Sequence, residues 1–295
     1  GSNTAPAAQL MVTGNTALRS SNGISRLTFN AMNASGTTYL GVTAGGVLST
    51  GTNNTAVGNI TFANLTTGSN NTGLGYNAGN AVDTASDITA IGYNTLKLST
   101  DYGSDTAVGS SVMTVATGGS LNVAVGYASL NSLTGGLFLA NSNTAIGYSA
   151  GSSQNAAYQN TKIGYAAGTS GVSSQSTSMG FRALQAENGG GFGSSLYNTA
   201  VGNMANSAVS TGTNNSSIGY QANYVFNTSN NVAIGTNANF AASSNNVAVG
   251  YYSLALNNNN LQTNFMDVAV GSQASYLSAG SGNVTLGYQA MYGTV

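Results

Sequence analysis

Histidine and cysteine are absent from this 295-residue chain, so the usual proton shuttles and thiolate nucleophiles have no bearer. Chemistry would have to come from six acidic residues, five basic ones, and hydroxyl and amide side chains. Asp83 and Asp101 stand 18 apart, as do Asp87 and Asp105. If the chain coils at about that interval, like charges stack in neighbouring turns, and a hard cation with oxygen ligands could relieve the repulsion. Solvated turn carboxylates, partly neutralised by Lys97, are the plainer expectation. Glu187 and Asp267 are isolated, and a glycosidase needs two converging carboxylates. The string Gly189-Gly190-Gly191-Phe192-Gly193 lacks the strand-to-helix setting of a phosphate loop. The expectation is a protein that is not an enzyme and takes no cofactor.

Two other groups of residues invite a binding role. Tyr76, Tyr93, Tyr127, Tyr148, Tyr165, Phe181, Tyr220, Tyr251 and Tyr288 each follow a regularly spaced glycine. Rings stacked along a rod could form a sugar-binding platform or a packing ladder at a coil corner or chain interface. Segments 131–142, 185–197 and 255–266 are insertions between regular units, and loops on a rigid scaffold tend to carry recognition. Their apolar residues Leu137, Phe138, Phe192, Tyr197, Leu261 and Phe265 are the receptor-contact candidates.

The element that positions these residues is a repeat. Fourteen glycines from Gly58 to Gly287 recur at intervals of mostly 15 to 17 residues, with three longer steps of 21 and 22. Asn54-Thr55-Ala56-Val57-Gly58 and Asn143-Thr144-Ala145-Ile146-Gly147-Tyr148 show the unit. The residue before the glycine is aliphatic (Met179 included) in all 14 copies, and four before it ten copies carry Asn and two carry Asp. As a strand the unit alternates with period two. The aliphatic and Thr/Val columns share one face, expected inside the coil. The Asn, Ala and Gly columns share the other, expected to meet a neighbouring chain. Eight Thr fill one column; with that column facing inward, ice binding is set aside.

A unit this short has no room for a crossover helix and fits one solenoid coil, with two short strands and two turns. Parallel stacking at about 4.8 Å per coil makes a rod of roughly 65 Å, and identical Asn columns can hydrogen-bond along the stack. Residues 1–50 lack the unit and are read as a small β cap or a connector to another structural protein; residues 51–295 are the repeat domain.

Composition agrees. Only 4% of residues are charged, against about 25% in an ordinary domain. Five scattered cations cannot neutralise a nucleic-acid backbone. No apolar run approaches the length of a membrane-spanning helix, and Gly1-Ser2-Asn3 opens without the basic and apolar regions of a signal peptide.

These residues resemble the head repeats of trimeric autotransporter adhesins, and more closely the Asn-Thr-Ala-Ile-Gly-Tyr-x-Ala repeats of phage tail-fibre proteins. The resemblance spans about 51–295. It implies an all-β fold, a left-handed parallel β-roll of about 14 coils, with three chains side by side in a homotrimer. It also implies an extracellular place on a virion or cell surface, with a glycan or protein receptor. The family motif carries no catalytic residues. No heptads follow the repeats, which favours a virion fibre over a bacterial adhesin or extracellular filament.

Overall fold

In the computed structural model, the described residues are 36–47, 50–98, 103–134, 140–155, 157–171, 173–185, 195–208, 212–224, 228–239, 244–255, 266–277 and 281–293. The chain is all-β and forms a parallel β-solenoid. One sheet of fifteen strands runs from Thr38–Leu40 to Val284–Leu286, and each strand pairs with its sequence neighbour in that sheet. Register follows the repeat: Thr89 pairs with Thr106, Ala90 with Ala107, Ile91 with Val108 and Gly92 with Gly109. β-branched residues dominate these short strands, as a pleated, half-buried surface favours. The expected second strand of each coil is a local feature among the described residues. Val115–Thr117, Ser132–Thr134, Ser153–Asn155 and Ser170–Gly171 form a four-stranded sheet, and Ser173–Ser174 pairs with Ser195–Leu196.

The anchor glycines have two physical reasons. Their φ values from Gly58 to Gly287 lie between 119° and 137°, outside the range of L side chains. From Gly58 to Gly271, a Cβ would also strike the carbonyl oxygen of the next anchor glycine. Coils turn at further left-handed residues two and four places after the glycine and five before it, such as Asn94, Leu96 and Asn70. Asn tolerates that conformation best among non-glycine residues, and at the last of these corners the amides bond outward along the stack. Asn53 Nδ2 donates to Asn70 Oδ1 at 3.2 Å, and Asn214 Nδ2 to Asn230 Oδ1 at 3.1 Å.

The sheet reaches back into the segment 1–50. Thr38–Leu40 pairs with Thr55–Val57, and Gly41 follows it with φ 143°. Tyr39 stands where later coils carry Ala, and Gly45 makes room for it: a Cβ there would lie 2.5 Å from Tyr39 Cζ. Burial pushes the Tyr39 phenol pKa up, with the polar Thr37 side chain opposing. The strand candidates Gln9–Val12 and Arg26–Phe29 lie outside the described residues.

The inside and the outside of the coil are opposite to the sequence expectation. Ala56, Ala90, Ala107, Ala124, Ala145, Ala200, Ala233, Ala248 and Ala269 are fully buried. The flanking Thr and aliphatic residues are only half-buried or exposed: Leu74, Ile146, Met179, Ile218 and Leu286 all face out. The reason is width. Gly73 occupies the Ala column, and a Cβ on it would lie 2.5 Å from Thr61 Cγ2 and 2.7 Å from Phe62 Cε2. At this coil the opposing wall leaves no room for a side chain, and in most other coils the column carries only Ala or Ser. Interior volume is filled from that wall, four residues after the glycine, by Phe62, Leu96, Met113, Leu130, Leu184 and Leu254.

The Asn column, expected on the outer face, lies inside with the Ala column. Asn54 Oδ1 accepts from the Asn71 backbone N–H at 2.9 Å, and Asn71 Oδ1 from that of Ile88 at 2.8 Å. The pattern recurs at Asn143, Asn160, Asn198, Asn215, Asn231 and Asn246. The amide nitrogens donate across the coil, Asn54 to Gly68 O at 2.8 Å and Asn215 to Thr228 O at 2.7 Å. Asn54 and Asn215 thereby each span two coils and two walls. The ladder expected from the repeat is present, and its work is structural.

Candidate interaction surface

The outward columns make one face. Thr55 with Val57, Thr89 with Ile91, Thr144 with Ile146 and Val247 with Val249 stand side by side on successive strands in strict register. Nothing among the described residues covers them: Leu74, Ile146, Met179, Ile218, Ile234, Val270, Val284 and Leu286 are all exposed. A contiguous aliphatic stripe along a whole sheet exceeds what monomeric soluble proteins usually show to water.

Beside this face runs the aromatic column. Tyr76 stacks on Tyr93 with ring centroids 5.5 Å apart. Tyr127, Tyr148, Tyr165 and Phe181 form a continuous stack with steps of 5.1, 4.9 and 5.3 Å. The ladder is therefore formed, and the column remains half-exposed. Inside the stack each ring spends its faces on its neighbours and shows solvent its edge. Stacking against a sugar needs a free face, so the platform reading loses its geometry there. Arg182 lies over Phe181 at 5.1 Å from the ring centre, an ordinary cation–π distance. Tyr220, Tyr251 and Tyr288 are exposed, and Tyr251 meets Tyr252 edge-on at 4.6 Å.

The aspartates are dispersed. Asp83 Oδ1 accepts from Thr66 Oγ1, and Asp87 Oδ1 accepts from Asn70 Nδ2 at 3.1 Å; both residues are exposed. Asp105 sits in the buried Asn column, and its Oδ1 accepts from the Asn122 backbone N–H at 2.7 Å. With a local period of 17 residues, a separation of 18 moves a residue one column along. Asp87 faces out at a corner and Asp105 faces in, so the two are not brought together. Asp101 lies outside the described residues. Among the described residues no three acidic groups cluster as a metal site would require.

Of the loop candidates, Tyr197 is exposed at a left-handed corner with φ 60°. Leu137, Phe138, Phe192, Leu261 and Phe265 lie outside the described residues. No helix among the described residues is long and apolar enough to cross a membrane. No family model, no curated protein and no solved structure matches the chain.

Several features escaped the sequence reading. The interior column four residues after the glycine holds six of the eleven largest fully buried side chains, and Phe, Leu and Met recur there in the sequence. Lys162 was not singled out either. It stands in the Ala column and is 1% exposed, its stem running past Gly151 and Gly168. A Cβ on Gly168 would lie 2.6 Å from Lys162 Cδ, so glycine at that place is what admits the long side chain.

Proposed function

We propose that the chain is the rod of an extracellular fibre, assembled as a homotrimer of left-handed β-rolls and serving as a virion tail-fibre segment that binds a cell surface. The outward aliphatic column carries this reading. It runs the length of the main sheet and needs a partner surface of the same length and register, which another copy of the chain supplies. Burying the exposed part of each aliphatic side chain contributes roughly 1 kcal/mol, which over many coils favours parallel rods held together. Three copies is what the repeat resemblance implies. The insertions at 131–142, 185–197 and 255–266 are the places for contact with a glycan or protein receptor, and the N-terminal end is the place for a joint to another fibre or tail protein. A bacterial adhesin or structural filament uses the same rod; long end-to-end filaments of the purified protein would favour it.

Native mass measurement at micromolar concentration tests the assembly. Three chains are expected, and the pair Ile146→Asp with Val201→Asp should leave a folded monomer with unchanged β circular dichroism. A wild-type monomer at that concentration overturns the reading.

One observation favours a second reading. The Thr column faces outward, which removes the reason for setting ice binding aside. In later coils, however, the hydroxyls give way to Val232, Val247, Val268 and Val284, a change that suits a dry interface better than ice. Thermal hysteresis of the purified protein would reverse this preference.

A further inference from the structure

The aromatic column has a missing rung. Strand Thr106–Ser110 lies between Thr89–Tyr93 and Val123–Tyr127, with Ser110 paired to Tyr93 on one side and to Tyr127 on the other. The ladder continues past the strand ends in the same register: the Ser111 N–H donates to Tyr93 O at 2.8 Å and the Ala128 N–H to Ser110 O at 3.0 Å. Tyr93 has Tyr76 on one face, and Tyr127 has Tyr148 on one face. Their remaining faces look at each other across a serine. Two parallel-strand steps set the two rings about 10 Å apart.

From these relations we infer that the notch above Ser110 is a binding slot for one neutral aromatic ring of the phenol type, sandwiched between Tyr93 and Tyr127. The argument is one of translation. A ring placed at the missing rung lies about 5 Å from each neighbour, the spacing at which aromatic pairs attract. That is also the spacing of the existing rungs, 4.9 to 5.5 Å. Whatever tilt the ladder adopts, the inserted ring repeats it.

A second break, five coils further on, shows what an open face attracts. Asn203 stands where the rung after Phe181 would be, Tyr165 covers one face of Phe181, and the flat guanidinium of Arg182 lies over the ring. At the Ser110 break the corresponding corner residues are Asn94 and Ser111, too short to reach over a ring. Neither is charged, so the slot offers nothing to a phosphate and suits a neutral ring. The ring could belong to a tyrosine side chain of a peptide or to a free phenolic compound.

Titration of the intact protein with p-cresol, and separately with N-acetyl-Gly-Tyr-Gly-amide, tests this by NMR. Saturable upfield shifts of the probe's ring protons are expected, with affinity on the order of millimolar from two stacking contacts. Ser110→Tyr fills the rung from within and should abolish the shifts. Tyr127→Leu removes one wall and should weaken binding at least roughly fivefold, which keeps the test open if the first variant folds poorly. Binding of both probes assigns the slot to a side chain, and binding of p-cresol alone assigns it to a free phenol. Binding of neither probe overturns the slot, as does binding that survives both substitutions.

Discussion

The two halves of the solenoid share a backbone path and fill it differently. From Ala56 to Ala150 the interior is one apolar cluster that includes Phe62, Leu65, Ile88, Leu96, Met113, Leu130 and Leu133. Beyond it the apolar interior of the described residues is broken into two smaller clusters, made of alanine with Leu184 and Leu254. The column that holds Phe62 and Leu96 in the first half holds Asn206, Asn223 and Asn239 in the second. These are fully buried and bonded in series: Asn223 Nδ2 donates to Asn206 Oδ1 at 3.2 Å, and Asn239 Nδ2 to Asn223 Oδ1 at 2.7 Å. Main-chain pairing between coils continues through both halves. The coil is thus a frame that accepts either filling. Apolar filling stabilises by area removed from water. Amide filling contributes a modest net free energy per bond but makes any broken bond costly.

Truncating the apolar filling should have the largest effect. Phe62→Ala opens a cavity beside Gly73 and Gly79 and should cost about 3–5 kcal/mol. Hydrogen exchange should show the loss in coils 50–98 and leave 212–255 protected, since each coil contacts only its neighbours. A uniform loss along the chain would mean that the halves are not separable.

The amide filling should respond to how many members are changed. Asn223→Ala leaves an acceptor on Asn206 and a donor on Asn239 unpaired in the interior, at a cost of about 1–3 kcal/mol. Replacing Asn206, Asn223 and Asn239 together by Leu converts the column to the type found in the first half. The triple variant should be less destabilised than the single one, because no polar group in the column is left without a partner. Urea unfolding of both variants checks the order. If the triple variant is the worse, the later coils are too narrow for the filling of the earlier ones.

A smaller gain should come from the Ala column. Ser217 is fully buried and its hydroxyl lacks a hydrogen-bond partner. Ser217→Ala removes that burden and should raise stability by about 1 kcal/mol, visible as a shift in the unfolding midpoint.

Much of this architecture was legible in the residue string. The anchor glycines, the strand register and the Asn ladder all follow from copies that line up by simple counting. The chain before Gly58 was harder to read because Tyr39 replaces Ala, a change tolerated only because Gly45 yields the space. Stacking of Asp87 on Asp105 was only an alternative to solvated turn carboxylates, and it fails by one residue, 18 against a local period of 17, since one residue suffices to turn a side chain to the other face. The aromatic column was visible as a list of tyrosines. Its break at Ser110 gained meaning only when the neighbouring rings proved to be stacked.

Period-two alternation divides a strand into two faces, and that division was settled by the sequence alone. It carries no sign. Which face becomes the inside depends on how far away the opposite wall of the coil stands, and that distance is a property of the closed turn. Here the wall is close enough that most coils place glycine, alanine or serine against it, and Lys162 enters only where Gly151 and Gly168 give way. The larger aliphatic residues are therefore turned outward, where only another surface can bury them.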